Sequence, residues 1–139
     1  MTSASTRDPI TCHVLDQTTG LPAPSLAVTL TVNIPPLSSS SAPATFTART
    51  STADGRINHW TPAAPGAAGL GETLRGLGEK GRAICGLRFD TEGYFGEGGT
   101  FFPEVEIRFF VDGEGEAARG HWHVPLLLGP WSYTTYRGS

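Results

Sequence analysis

Period-two alternation of apolar and polar residues, cut repeatedly by turn residues, limits what this chain can fold into. Between Ser25 and Ile34, the side chains Leu26, Val28, Leu30 and Val32 share one side of an extended backbone, because successive residues of a strand point to opposite faces. Ile10, Cys12 and Val14 alternate in the same way with Thr11, His13 and Leu15, over a strand expected at Ile10–Asp16. Further strands are expected at Phe46–Ser51, Arg56–Trp60, Ala83–Phe89 and Phe102–Val111. From His121 to Ser139 the chain reads as two more, joined by a two-residue turn at either Gly129-Pro130 or Pro130-Trp131. Either turn puts Thr134 and Tyr136 on the face that carries His121 and His123.

The punctuation agrees. Asp16–Pro22 has turn chemistry, Pro35-Pro36 ends a strand because proline cannot donate to a ladder, and Asp54-Gly55 is a hairpin signal leading into Arg56. Ser38–Ser41 reads as a loop tip, and Asp112–Gly120 as an acidic, glycine-rich turn. Thr61–Gly81 reads as a long loop with a weak helical hint at Glu72–Leu77, and Thr91–Gly99 as a connection able to hold one helical turn. Seven or eight short strands without a long helix imply an all-β sandwich. At 139 residues one domain is expected, residues 10–139 after a short extension at 1–9.

Composition excludes several roles. A net charge of −3, with scattered arginines and a single lysine, gives no basic footprint for nucleic acid. No apolar run reaches the ~20 residues that span a bilayer, and the N-terminus lacks the apolar segment of a secretory signal. Two cysteines, Cys12 and Cys85, make no disulfide framework. With no Ser-Lys-Leu ending either, a cytoplasmic setting is the default, and peroxisomal residence has no clear signal behind it.

Of four histidines, His121 and His123 share a strand face and could join His13 around zinc. Two strand histidines are more often ordinary hydrogen-bonded side chains, and no cysteine pair or His-Glu motif supports a metal, so none is expected. His13 faces away from Ile10, Cys12 and Val14, toward solvent or an interface. Arg56 alone reads as a solvated charge beside a turn. There is no Gly-x-Ser-x-Gly elbow, and Gly69-Leu70-Gly71 follows no strand, which weakens any phosphate loop.

Four stretches carry a resemblance. They are Thr11-Cys12-His13-Val14-Leu15-Asp16 with Gly20-Leu21-Pro22-Ala23, Thr52-Ala53-Asp54-Gly55-Arg56, Phe101-Phe102-Pro103-Glu104-Val105, and His121-Trp122-His123-Val124-Pro125-Leu126-Leu127-Leu128 running to Tyr136-Arg137-Gly138-Ser139. In this order they resemble the 5-hydroxyisourate hydrolases of the transthyretin-like family. The closing Tyr-Arg-Gly-Ser is the mark that separates the hydrolases from transthyretin, a hormone carrier. Trp122 stands where Tyr is usual and Gly129 where Ser is common, and the loops at Ser38–Ser41 and Pro62–Gly81 look longer than typical.

The resemblance implies a transthyretin-like sandwich of two four-stranded sheets with one short helix near Glu92–Gly96. It also implies a homotetramer whose active sites lie where dimers meet. It implies hydrolysis of 5-hydroxyisourate, a step of urate breakdown, to 2-oxo-4-hydroxy-4-carboxy-5-ureidoimidazoline, with no cofactor. His13, Arg56 and His123 are the expected catalytic residues, and Tyr136, Arg137, Gly138 and Ser139 the expected substrate-binding tail. Histidines titrate near neutrality and suit the proton transfers of hydrolysis. Arg56 should stabilise an oxyanion and keep both histidines neutral. His123 is assigned as base and His13 as its partner, while His121 is peripheral. Tyr136 and Ser139 should orient the ring, and regular alternation would turn Arg137 to the opposite face. The alternatives are a carrier of a flat aromatic ligand, or a structural interaction module.

Overall fold

A computed structural model describes residues 7–33, 42–77, 81–112 and 120–139. The expected loop tip at Ser38–Ser41 and most of the acidic turn after Asp112 lie outside these residues. Among these described residues ten strands and two helices follow in chain order: β1 (Ile10–Asp16), β2 (Leu21–Pro22), β3 (Ala27–Asn33), β4 (Ala44–Arg49), β5 (Arg56–Ile57), β6 (Thr61–Pro62), α1 (Leu70–Arg75), β7 (Arg82–Phe89), α2 (Thr91–Phe95), β8 (Val105–Asp112), β9 (Trp122–Leu128) and β10 (Tyr133–Thr135).

One sheet runs β10-β9-β1, with β2 and β5 sharing the far edge of β1; the other runs β6-β4-β3-β7-β8. Each sheet therefore has five strands where four were expected. The surplus is made of two-residue pieces: β2 and β5 divide one edge between them, and β6 extends the other sheet beyond β4. The pairing of β1 with β9 is parallel, from Ile10↔Trp122 to Asp16↔Leu128, whereas the second sheet is antiparallel throughout. Inward residues form one core, in which Ile10, Cys12, Val14, Leu126 and Leu128 meet Val28, Leu30, Phe46, Leu87 and Phe89. Each such large side chain contributes roughly 1.5–3 kcal/mol by leaving water. The alternation read from the sequence is thus the inner face of the sandwich.

Three expectations are corrected. Asp54-Gly55 does not close a hairpin between adjacent strands, because β4 and β5 lie in different sheets. The Gly55 N–H donates to the Ser51 carbonyl and the Ser51 N–H to the Arg56 carbonyl, both at 3.0 Å, so the turn closes on itself and carries the chain across. Gly55 has φ +70°, and a Cβ there would sit 2.7 Å from the Val14 carbonyl oxygen, so both backbone angle and space require glycine. The strand expected over Arg56–Trp60 is regular only to Ile57, since the Asp8 carboxylate takes the Trp60 N–H at 2.8 Å. Beyond it, Thr61–Gly81 is not all loop: β6 pairs with β4, and α1 buries Leu70 and Leu74. That i, i+4 pair was masked by the glycines around it.

The short helix near Glu92–Gly96 is α2, started by the Asp90 carboxylate accepting the Gly93 N–H at 3.0 Å. Its Thr91 hydroxyl donates to the Phe102 carbonyl and its Glu92 N–H to the Pro103 carbonyl. These bonds hold Phe102 and Pro103 against the helix, and β8 starts three residues later than expected. The final turn is the Pro130-Trp131 choice: the Gly129 N–H donates to the Ser132 carbonyl at 2.9 Å, and Tyr133 pairs with Leu128. Among the described residues no helix is long and apolar enough to cross a membrane.

Candidate active site

The parallel register of β1 and β9 places Thr11 beside His123 and His13 beside Pro125, all on the outward face. On the other edge of β1, the antiparallel register of β5 sets Arg56 against His13. The tail then returns along β9, where Gly138 bridges His123 and its N–H donates to the His123 carbonyl at 2.8 Å. Sequence-distant groups therefore converge because three strands pair, not because any local motif holds them. The His13 and His123 rings are 6.5 Å apart between centroids and inclined at 28°.

Electrostatics make these rings bases. Burial lowers the pKa of His13 below its ordinary 6.5, the Arg56 cation lowers it further, and Asp54 partly opposes the shift. His123 is lowered by burial first, then by Arg56, His121, His13 and Arg7. His121 is lowered by burial, Arg7 and Arg137. Neutral imidazole is the form that accepts a proton, so both His13 and His123 can act as bases at neutral pH. Arg56 is 43% exposed and its Nε lies 4.0 Å from an Asp54 carboxylate oxygen. Such a long surface pair binds weakly and leaves the guanidinium able to engage an electron-rich ligand.

The tail divides. Gly138 sits so close to β9 that a Cβ would fall 2.7 Å from His123 Cδ2 and 3.0 Å from Pro125 Cγ. Tyr136 and Arg137 line a groove of about 230 Å³ with Ile107 and Phe109 of β8 and Trp122 and His123 of β9. Thr134 pairs with Leu127 as the alternation required, but β10 ends at Thr135, so the alternation expected to separate Arg137 from Tyr136 stops before it reaches them. Arg137 Nη2 donates a long 3.4 Å bond to the His121 carbonyl. Ser139 is exposed.

The sequence reading missed Thr11. Its Oγ1 lies 2.8 Å from His121 Nε2 and 2.7 Å from His123 Nδ1, and the residue is 1% exposed. Both imidazoles turn to this hydroxyl rather than to a common cation position, and among the described residues no three metal-ligating side chains converge. Alternation alone had placed Thr11 on the His13 face. Its partner strand was the missing information.

The class these features define is an all-β sandwich with a histidine–arginine cluster on the outer face of one sheet. A profile described as Transthyretin: HIUase/Transthyretin family matches residues 10–138, and the chain belongs to that family. It is 39% identical to the 5-hydroxyisourate hydrolase of Mus musculus, over 98% of this chain and 99% of that protein. The structure of Klebsiella pneumoniae 5-hydroxyisourate hydrolase is similar with a TM-score of 0.59, at 29% identity, covering 94% of this chain and 97% of that one. Transthyretin from Sparus aurata gives 0.66 at 26% identity, covering 95% and 97%. The fold is thus shared by both kinds of protein.

Proposed function

We propose that this chain hydrolyses 5-hydroxyisourate, opening the six-membered ring at its acyl–nitrogen bond. The observation that carries this reading is the convergence of two imidazoles held neutral with a weakly paired guanidinium on one outward face. A carrier of a flat apolar ligand has no need of such a group. Full-length likeness to proteins named as 5-hydroxyisourate hydrolases supports it.

His123 takes a proton from water as the oxygen attacks the ring carbonyl. The Arg56 guanidinium stabilises the resulting oxyanion, an interaction typically worth ~10²–10³ in rate. When the carbon–nitrogen bond breaks, the leaving nitrogen receives a proton from the histidine pair, with His13 as the second member. Tyr136, Arg137 and Ser139 bind and orient the ring, and Gly138 lets the tail approach His123. The protein works as a homotetramer in which a second copy closes the outward face of this site. Exposure of Arg56 and of Tyr136, 56% accessible in the single chain, supports that arrangement.

The test is the decay of freshly generated 5-hydroxyisourate, followed by ultraviolet absorbance with urate oxidation as the source. The protein should accelerate decay over buffer. No acceleration from folded protein would overturn the hydrolase reading. Native mass measurement should give four copies, and full turnover by a monomer would refute the shared site.

A further inference from the structure

The Thr11 hydroxyl is buried and stands between two ring nitrogens, His121 Nε2 at 2.8 Å and His123 Nδ1 at 2.7 Å. A hydroxyl carries one hydrogen, so it donates to one of these nitrogens and accepts from the other. A buried hydroxyl hydrogen without an acceptor is costly, which disfavours arrangements in which both nitrogens donate to the oxygen. Two arrangements of neutral rings satisfy every group. In the first, His123 Nδ1–H donates to Thr11, Thr11 donates to His121 Nε2, and both histidines carry their proton on Nδ1. In the second, His121 Nε2–H donates to Thr11, Thr11 donates to His123 Nδ1, and both carry it on Nε2.

These arrangements differ at the atom that matters. Only the first leaves His123 Nε2 bare and able to take a proton. We propose that the Thr11 hydroxyl locks the tautomers of His121 and His123 together, so that His121, although peripheral to the substrate, selects the form in which His123 is a base. Thr11 and His121 are positioning residues. The catalytic consequence rests on the hydrolase reading above, whereas the coupling of tautomers does not.

The pH behaviour follows from the same geometry. A protonated His121 must donate from Nε2, so Thr11 turns its hydrogen to His123 Nδ1 and His123 Nε2 becomes N–H. Arg7 ahead of β1 and Arg137 in the tail face His121 and oppose its protonation. Arg56 on β5, His13 on β1, His121 and Arg7 bear on His123. The surrounding cations thus oppose the protonated His121 that would commit His123 Nε2 to N–H.

The experiment is long-range nitrogen–proton NMR of the full chain labelled in its imidazoles, read with turnover of 5-hydroxyisourate. At pH 8 the native protein should show Nδ1–H at both His121 and His123. In His121→Leu, Thr11 retains only His123 as an acceptor, so His123 should change to Nε2–H. Its kcat should fall ~10²-fold, the low end of what a positioned base contributes, with KM unchanged. Thr11→Ser keeps the hydroxyl and should keep both the native tautomers and the native kcat; Thr11→Val should uncouple them. The same His123 tautomer in the native protein and in folded His121→Leu would overturn the proposal. Loss of the native tautomers in folded Thr11→Ser would also overturn it. Absence of turnover in the native protein would strike the hydrolase reading alone, because the NMR signature needs no substrate.

Discussion

The two sheets carry equivalent inner faces and very different outer ones. On the outer face of the antiparallel sheet, Thr29 pairs with Thr47 and Thr31 with Thr45, while Arg88 stands opposite Glu106. These are ordinary cross-strand pairs, each worth roughly 0.2–1 kcal/mol. On the outer face of the sheet containing β1 and β9 stand His13, His121 and His123, and burial first, then neighbouring cations, disfavours protonation of each ring: Arg56 for His13 and His123, Arg7 and Arg137 for His121. One face is arranged to be quiet and the other to hold proton acceptors in readiness. Under the proposed function, chemistry is written on one outer face and stability on the two inner ones.

The sharpest way to break this contrast is substitution on each outer face. His123→Ala should lower kcat/KM by ~10²–10⁴, the range for loss of a positioned base, while Thr31→Val leaves it unchanged, both checked by the absorbance assay with thermal unfolding alongside. Equal losses from the two faces would abolish the distinction. Next in size, Leu126→Ala on the inner face should cost about 2–5 kcal/mol of stability, read by denaturant unfolding, while folded protein keeps its turnover. Loss of activity at full folding would mean that inner and outer faces are not separable.

Gly138→Ala sharpens the boundary of the reactive face. A Cβ there would meet the His123 ring at 2.7 Å, and misplacing a reacting group by about 1 Å costs on the order of 10²-fold. Activity should fall by about that factor with little change in melting temperature. The smallest effect is in pH. Because His13 and His123 are shifted down from 6.5, the acid limb of kcat/KM should lie below 6.5. Arg56→Gln should move the limb upward without restoring 6.5, since burial is the larger cause. A limb unmoved in Arg56→Gln would remove Arg56 from the electrostatics of the pair. Stability has the same sign. Between the lowered native values and 6.5 the unfolded chain binds more protons, so acidification through that window should destabilise the protein.

Much of this was legible in the residues. Leu26, Val28, Leu30 and Val32 alternate because one sheet face is buried, and that signal is local. His13 was read as outward for the same reason, from its neighbours Cys12 and Val14. The parallel partnership of β1 and β9 was not legible, since no short-range pattern encodes which strands meet. Thr11 was therefore on the right face but had no assigned partner. Asp54-Gly55 was recognised as a turn, yet a turn signal does not say whether the chain stays in its sheet. The Leu70 and Leu74 pair of α1 was obscured by Gly69, Gly71 and Gly76, which weaken any helical pattern.

The parallel pairing of β1 with β9 also sets a schedule for biosynthesis. Thr11 and His123 are 112 residues apart in sequence, so the ribosome releases β1 long before the strand that will cover its edge exists. During that interval the edge of β1 that will face β9 is unpaired, although β2 and β5 can already take the other edge, and an open strand edge invites pairing with another nascent chain. Contacts of such long sequence separation also form slowly. The face shared by β1 and β9 therefore cannot assemble until β9 has been made, and a chain stopped before β9 leaves that edge of β1 exposed.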